Sequence, residues 1–139
     1  MGAVTRVGVL GTGFVVEQYH LPVLSEMPDV HVEWVCDVVG AQAQRVAAAF
    51  GVPRVFEGLE QCTDVDLVLI AIPVGNRRRA LECIFKRGWH AFCEKPFAVT
   101  AEEHDWIVGS AAASQVQVGA GLMRRVFPEA ASTRDGVPV

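Results

Sequence analysis

The chain has 139 residues, 51% of them hydrophobic, which is one ordinary domain with enough apolar side chain to fill a core. Charged residues make up 20% and the formal net charge is −4 at pH 7, so no basic surface recommends nucleic acid and no polybasic stretch recommends a membrane. The apolar runs stop well short of the roughly 18 residues a membrane span needs, and the start lacks a signal peptide's charged head and apolar centre, so a cytoplasmic protein with a small-molecule partner is expected.

Residues 4–10 form a short β-branched run ended by glycine, the pattern of a strand buried on both faces. Residues 14 to about 24 read as a helix that Pro22 must bend or end. Residues 30–36 give a second strand closed by Asp37, and residues 41–50 an alanine-rich helix stopped by Gly51 and Pro53. After an extended segment at Val55 and Phe56 and a turn of helix near 58–62, residues 65–72 form a clear strand. Residues 77–87 follow as a helix that Gly88 ends, then a strand over 89–93, a helix over 101–113 and a last short strand over 116–119. Parallel strands cannot be joined by tight turns, so this alternation predicts an α/β fold with a doubly wound parallel sheet and crossover helices on both faces. The domain is expected over residues 1–127, with residues 128–139, rich in Ser132, Thr133, Asp135, Gly136 and Pro138, as an irregular tail. Cys36, Cys62, Cys83 and Cys93 lie in or beside apolar segments without C-x-x-C spacing, which suits reduced, buried thiols and indicates neither a metal site nor a disulfide framework.

A strand that breaks into Gly11, Thr12 and Gly13 ahead of a helix is the setting of a dinucleotide-binding turn. Gly11 allows the sharp exit from the strand. Gly13, without a side chain, lets a pyrophosphate approach the positive end of the helix, with Thr12, Phe14 and Val15 completing the turn. Val16 occupies the third glycine position and should set the helix slightly away from the strand without removing the phosphate site. A tight turn holding no ligand is the alternative. Asp37, 26 positions after Gly11, ends the second strand. A carboxylate there can accept both adenosine-ribose hydroxyls and repel a 2′-phosphate, which favours NAD over NADP; capping the next helix is its alternative role. Ala71, Ile72 and Pro73 carry a buried strand to the same sheet edge, where ligands collect in such folds. Cys93, Glu94, Lys95 and Pro96 reach that edge after the next strand. Lys95 is placed to hydrogen-bond a substrate hydroxyl and ease removal of its proton as hydride leaves, and Glu94 to orient the lysine or touch the nicotinamide end. A solvated ion pair is the plainer reading of these two. His20 reads as a packing or cap residue, His104 as part of a solvated helix face, and His31 and His90 as structural.

Taken in order, Gly11-Thr12-Gly13, Cys36-Asp37, Ala71-Ile72-Pro73, Cys93-Glu94-Lys95-Pro96 and Arg124-Arg125-Val126-Phe127-Pro128 resemble the Gfo/Idh/MocA family, that of glucose-fructose oxidoreductase and inositol 2-dehydrogenase, over residues 4 to about 128. The resemblance implies an N-terminal Rossmann domain that binds NAD or NADP, normally followed by a larger α/β domain that covers the active site and often mediates oligomers. It implies that Lys95 binds and activates a substrate hydroxyl, alongside an aspartate and a histidine of that second domain, for hydride transfer at a secondary alcohol or carbonyl of a sugar, cyclitol or related polyol. Three departures stand out. Where the family often has A-T-P-N-x-x-H, this chain has Ile72, Val74 and Arg77; Val16 replaces the third glycine; and the second, substrate domain is expected to be absent. Three readings stay open: an oxidoreductase domain whose site is completed by a homo-oligomer, a partner chain or a missing domain; a catalytically incomplete nucleotide-binding protein with a regulatory or assembly role; or a truncated relative doing non-redox chemistry on a bound small molecule. Under the first, apolar residues at the Ala71 edge and around Phe127 are expected to form an association surface.

Overall fold

A computed structural model describes residues 2–122, so Arg124, Arg125, Val126, Phe127, Pro128 and the tail expected over 128–139 lie outside the described residues. Its strands are β1 (Thr5–Leu10), β2 (Val30–Cys36), β3 (Arg54–Phe56), β4 (Leu67–Ile70), β5 (His90–Cys93) and β6 (Val118–Ala120), and its α-helices are α1 (Leu21–Glu26), α2 (Gly40–Phe50), α3 (Arg77–Lys86) and α4 (Ala101–Ala113). The strands form one sheet in the order β3-β2-β1-β4-β5-β6, every neighbouring pair parallel. The order reverses between β1 and β4, which opens a crevice at the carboxyl ends of those strands.

Side chains alternate across the sheet and divide the core into two layers. Val7 and Val9 of β1, Val35 of β2 and Leu69 of β4 pack with Val16, Leu21, Ala43 and Val46 on one face. Leu10, Trp34, Val68 and Ile70 pack with Leu81, Ile84 and Ile107 on the other. Trp34 is fully buried, donates its indole N–H to Thr63 O at 2.9 Å and lies edge-on to Phe56. Its ring fits because Gly8 opposite it has no side chain: a Cβ there would come within 2.1 Å of the indole.

Boundaries deviate from the sequence reading in three places. The strand expected over 65–72 pairs only as β4, although Ala71 N–H still reaches Leu10 O at 2.8 Å and carries the extended path to the edge. The last strand is displaced to β6. Pro22 does not end the first helix, which runs on to Glu26. The turn ahead of it, Val16–His20, widens into π geometry, with Leu21 N–H bonded to Val16 O. An i→i+5 bond brings residues five apart onto one side, so Val16 and Leu21 both enter the core, where 3.6-residue turns would splay them. The same widening leaves room in the carbonyl ladder for a proline ring that has no N–H to give.

The association surface expected at Ala71 is not prominent, since Ala71 and Ile72 are half-buried; Phe127 lies outside the described residues. Exposed apolar side chains gather instead on the first helix, where Phe14 is 70% exposed and meets Tyr19 edge-on, with Val15 and Val23 also exposed.

Candidate active site at the carboxyl edge of the sheet

Because all strands run the same way, the segments singled out in the sequence that lie among the described residues emerge on one edge. β1 delivers Gly11, β2 Asp37, β4 Ala71 and β5 Glu94. Gly11 has φ +99°, a conformation L side chains rarely adopt, and a Cβ on it would stand 2.4 Å from Ala71 O. Its N–H bonds Cys36 O at 2.8 Å, so the turn is locked against β2 on one side and packed on β4 on the other. At Gly13 a Cβ would meet nothing within 4 Å, which makes this position a bare approach to the main chain. The first helical bond runs from Glu17 N–H to Gly13 O at 3.1 Å, so the amides of Phe14, Val15 and Val16 precede the ladder and give that end its positive character.

Asp37 braces this turn. Its Oδ2 accepts the Thr12 N–H at 2.7 Å and the Thr12 hydroxyl at 2.8 Å, and its Oδ1 accepts the Val39 N–H at 2.9 Å. Thr12 is fully buried, and Gln42 Nε2 donates to its carbonyl at 2.5 Å. The Thr12 hydroxyl therefore faces Asp37 rather than the crevice. Three of the carboxylate's roughly four acceptor positions are used internally, which leaves one for a ligand hydroxyl. Of the roles weighed in the sequence, capping the next helix is not what Asp37 does, since α2 has Val39 at its N-cap and no side-chain cap bond, and the free lone pair suits one ribose hydroxyl rather than both.

Gly11, Gly13, Asp37, Val38, Ala71, Ile72 and Pro73 line a cleft of about 930 Å³ that extends toward Glu57, Glu60, Arg78 and Arg79. Val38 is 86% exposed and offers an apolar surface beside the carboxylate. A bare glycine backbone, a helix start, one free carboxylate lone pair and an apolar flank are the donor set a dinucleotide needs, and the cleft is roomy enough for it.

Glu94 and Lys95 stand at the same edge but outside that cleft lining. Glu94 is largely buried: its Oε1 lies 2.7 Å from His20 Nε2, and its Oε2 accepts the Lys95 N–H at 3.0 Å. Lys95 itself is exposed. Arg77, the first residue of α3, is only 3% exposed and donates Nε–H to Ile72 O at 3.1 Å and Nη1–H to Glu94 O at 2.6 Å and to Pro96 O. His20 and Arg77 are the residues sequence reasoning left out of the site. Arg77 had a legible signal, since it heads the buried stripe Ala80, Leu81, Ile84 at helical spacing, where a charge needs partners. His20 had none, because its partner is 74 residues away.

Among the described residues no group of three or more potential metal ligands occurs, and no helix is long and apolar enough to cross a membrane. Cys36, Cys62 and Cys93 are buried free thiols and Cys83 is half-buried. Burial pushes the Cys93 thiol up to about 11, so it is protonated and poorly nucleophilic near neutral pH.

The strand order, the glycine turn at the switch point and the acid at the end of β2 define a dinucleotide-binding α/β domain of the Rossmann class. Residues 5–122 match the family described as "Oxidoreductase family, NAD-binding Rossmann fold" (GFO_IDH_MocA). The chain belongs to this Gfo/Idh/MocA oxidoreductase family and comprises its NAD(P)-binding domain. It is 27% identical over 133 residues to the inositol 2-dehydrogenase of Rhizobium meliloti (strain 1021), covering 95% of this chain and 40% of that protein. It is 31% identical over 135 residues to the rhizopine catabolism protein MocA of Rhizobium meliloti, covering 95% of this chain and 42% of that one. The crystal structure of GenD2 from gentamicin A biosynthesis in complex with NAD superposes with a TM-score of 0.87 at 23% identity, covering 97% of this chain and 39% of that one. That of KijD10, a 3-ketoreductase from Actinomadura kijaniata in complex with NADP and TDP-benzene, does so with 0.86 at 22%, covering 95% and 41%. These two likenesses show the fold. The chain spans about 40% of the length of the curated relatives it matches.

Proposed function

We propose that the chain is the cofactor-holding part of an oxidoreductase that moves a hydride at a secondary alcohol or carbonyl of a sugar, cyclitol or related polyol, with NAD preferred over NADP. The observation that carries this reading is the open approach to the Gly13 backbone at the mouth of a roughly 930 Å³ cleft, with Asp37 on one side of the switch point and Glu94 and Lys95 on the other. When bound, the dinucleotide supplies a nicotinamide ring that takes up or gives a hydride. Gly11 and Gly13 with the amides of Phe14 and Val15 would hold its pyrophosphate, braced by Thr12; Asp37 would take an adenosine-ribose hydroxyl; and Ala71, Ile72 and Pro73 would wall the path toward Glu94. Lys95, exposed on the same edge, would hold the substrate oxygen and its proton, with Glu94 orienting it.

Asp37 supports NAD over NADP, because a 2′-phosphate would sit against a carboxylate. The polyol class is supported by the printed activities of relatives such as the inositol 2-dehydrogenase. One sheet edge offers one wall of a site, so completion by further polypeptide, a second copy or a partner chain belongs to the proposal, and the exposed Phe14, Tyr19 and Val23 beside the turn favour it. The binding domain is assigned to residues 1–127, and unpaired cysteines favour a cytoplasmic setting.

Calorimetric titration with NADH and with NADPH tests the reading. The wild-type chain should bind NADH at least about tenfold more tightly, and Asp37→Ala should narrow that ratio as it removes the repelling carboxylate. Tighter binding of NADPH by the wild type would contradict the assignment at Asp37.

A further inference from the structure

The loop over Glu94, Lys95 and Pro96 is gripped from two sides by residues distant in the chain. Arg77 brings three backbone carbonyls onto one guanidinium: Ile72 O from the exit of β4, and Glu94 O and Pro96 O from the loop after β5. The planar fork keeps its charge and a fixed geometry, so it sets the two loops relative to each other as a flexible ammonium would not. A buried cation at the start of a helix opposes the helix dipole and costs desolvation, and the three carbonyls are what offset that cost. On the other side His20, turned out by the π-type turn, holds one oxygen of Glu94 at 2.7 Å, while the other oxygen holds the Lys95 N–H at 3.0 Å. Main chain and carboxylate around Lys95 are therefore both held, while among the described residues no partner holds its exposed ammonium.

We propose that Arg77 and His20 are positioning residues that aim Glu94 and Lys95 at the nicotinamide half of the dinucleotide, Arg77 through the main chain and His20 through the Glu94 carboxylate. The proposal rests on the reading of the cleft as a dinucleotide site. Neither residue lines the cleft beside the glycine turn, so their effect should be confined to the nicotinamide half.

The test uses two ligands that differ only in that half, NADH and ADP-ribose, titrated by calorimetry into the wild type, Arg77→Met, His20→Ala and His20→Gln. Arg77→Met should weaken NADH about tenfold and His20→Ala severalfold, the range for losing hydrogen bonds that involve charged groups, with ADP-ribose held within about twofold. His20→Gln keeps a donor and should recover most of the loss seen in His20→Ala. Should Arg77→Met fail to fold by circular dichroism, the two His20 variants read the same split. Equal loss of both ligands, or NADH binding unchanged in folded variants, overturns the positioning role while leaving the cleft assignment standing. A wild type that binds neither ligand overturns the dinucleotide reading itself, and the positioning role with it.

Discussion

The turn at residues 11–13 and the loop at residues 94–96 share one edge of one sheet, yet different chemistry holds each. The turn is shaped by its own backbone, with a positive φ at Gly11 and a bare Gly13, and it is braced by Asp37 and Gln42 from the next strand and helix. The loop follows a four-residue strand, and its geometry is imposed by His20 and Arg77, which come from other elements. Rigidity written into the main chain tolerates little substitution at the strained position itself, here Gly11. Rigidity lent by remote side chains can be removed without touching the loop.

Substitutions at the two places should differ in cost. The largest effect is expected at Gly11→Val: a non-glycine residue at that φ costs about 1–3 kcal/mol, and overlap with Ala71 O adds to it, so urea unfolding should show a loss of about 3 kcal/mol or more. Asp37→Ala strands the Thr12 hydroxyl and two backbone N–H groups and should cost about 1–3 kcal/mol by the same measurement, together with weaker NADH binding. At the loop, His20→Ala removes one side-chain pair and should cost only about 1 kcal/mol, so thermal melts should rank it well behind Asp37→Ala. The smallest effect is expected at the opposite sheet edge, where Arg6 grips Asp66 at 2.9 Å with both side chains nearly half exposed; Asp66→Asn should cost no more than about 1 kcal/mol. The Arg6 guanidinium, by hydrogen bond first, holds the Asp66 carboxyl below its ordinary value. Its contribution is therefore complete above the usual carboxylate range near pH 4 and lost as pH falls through the lower folded value, and the gap between wild type and Asp66→Asn in urea melts should close over that acid window.

The same contrast explains what the sequence made legible. β2 and α4 follow their expected bounds because β-branched residues and a Thr100 cap that accepts Glu103 N–H at 3.1 Å signal locally. The glycine turn and Asp37 were legible because strand, turn, helix and acid occur within one short stretch of chain. The first helix, read to about residue 24 with Pro22 bending or ending it, runs on to Glu26 because a π-type turn absorbs the proline, and nothing in the local pattern predicts that turn. At the loop, Glu94 and Lys95 could be read from their place after β5, but the clamp around them could not. His20 signals nothing without Glu94 beside it, and a sequence does not display a contact across 74 positions.

Whether the turn at Gly13 admits a dinucleotide is decided by titrating NADH into the wild type and into Gly13→Glu, with circular dichroism and melting temperature recorded for both. A side chain at Gly13 meets no neighbouring atom within 4 Å of its Cβ, so the variant should fold and melt like the wild type. The wild type should bind NADH saturably and the folded variant not measurably, because the glutamate would fill the approach and oppose the phosphates. Equal binding by both chains, or none by a folded wild type, would contradict a dinucleotide site at this turn.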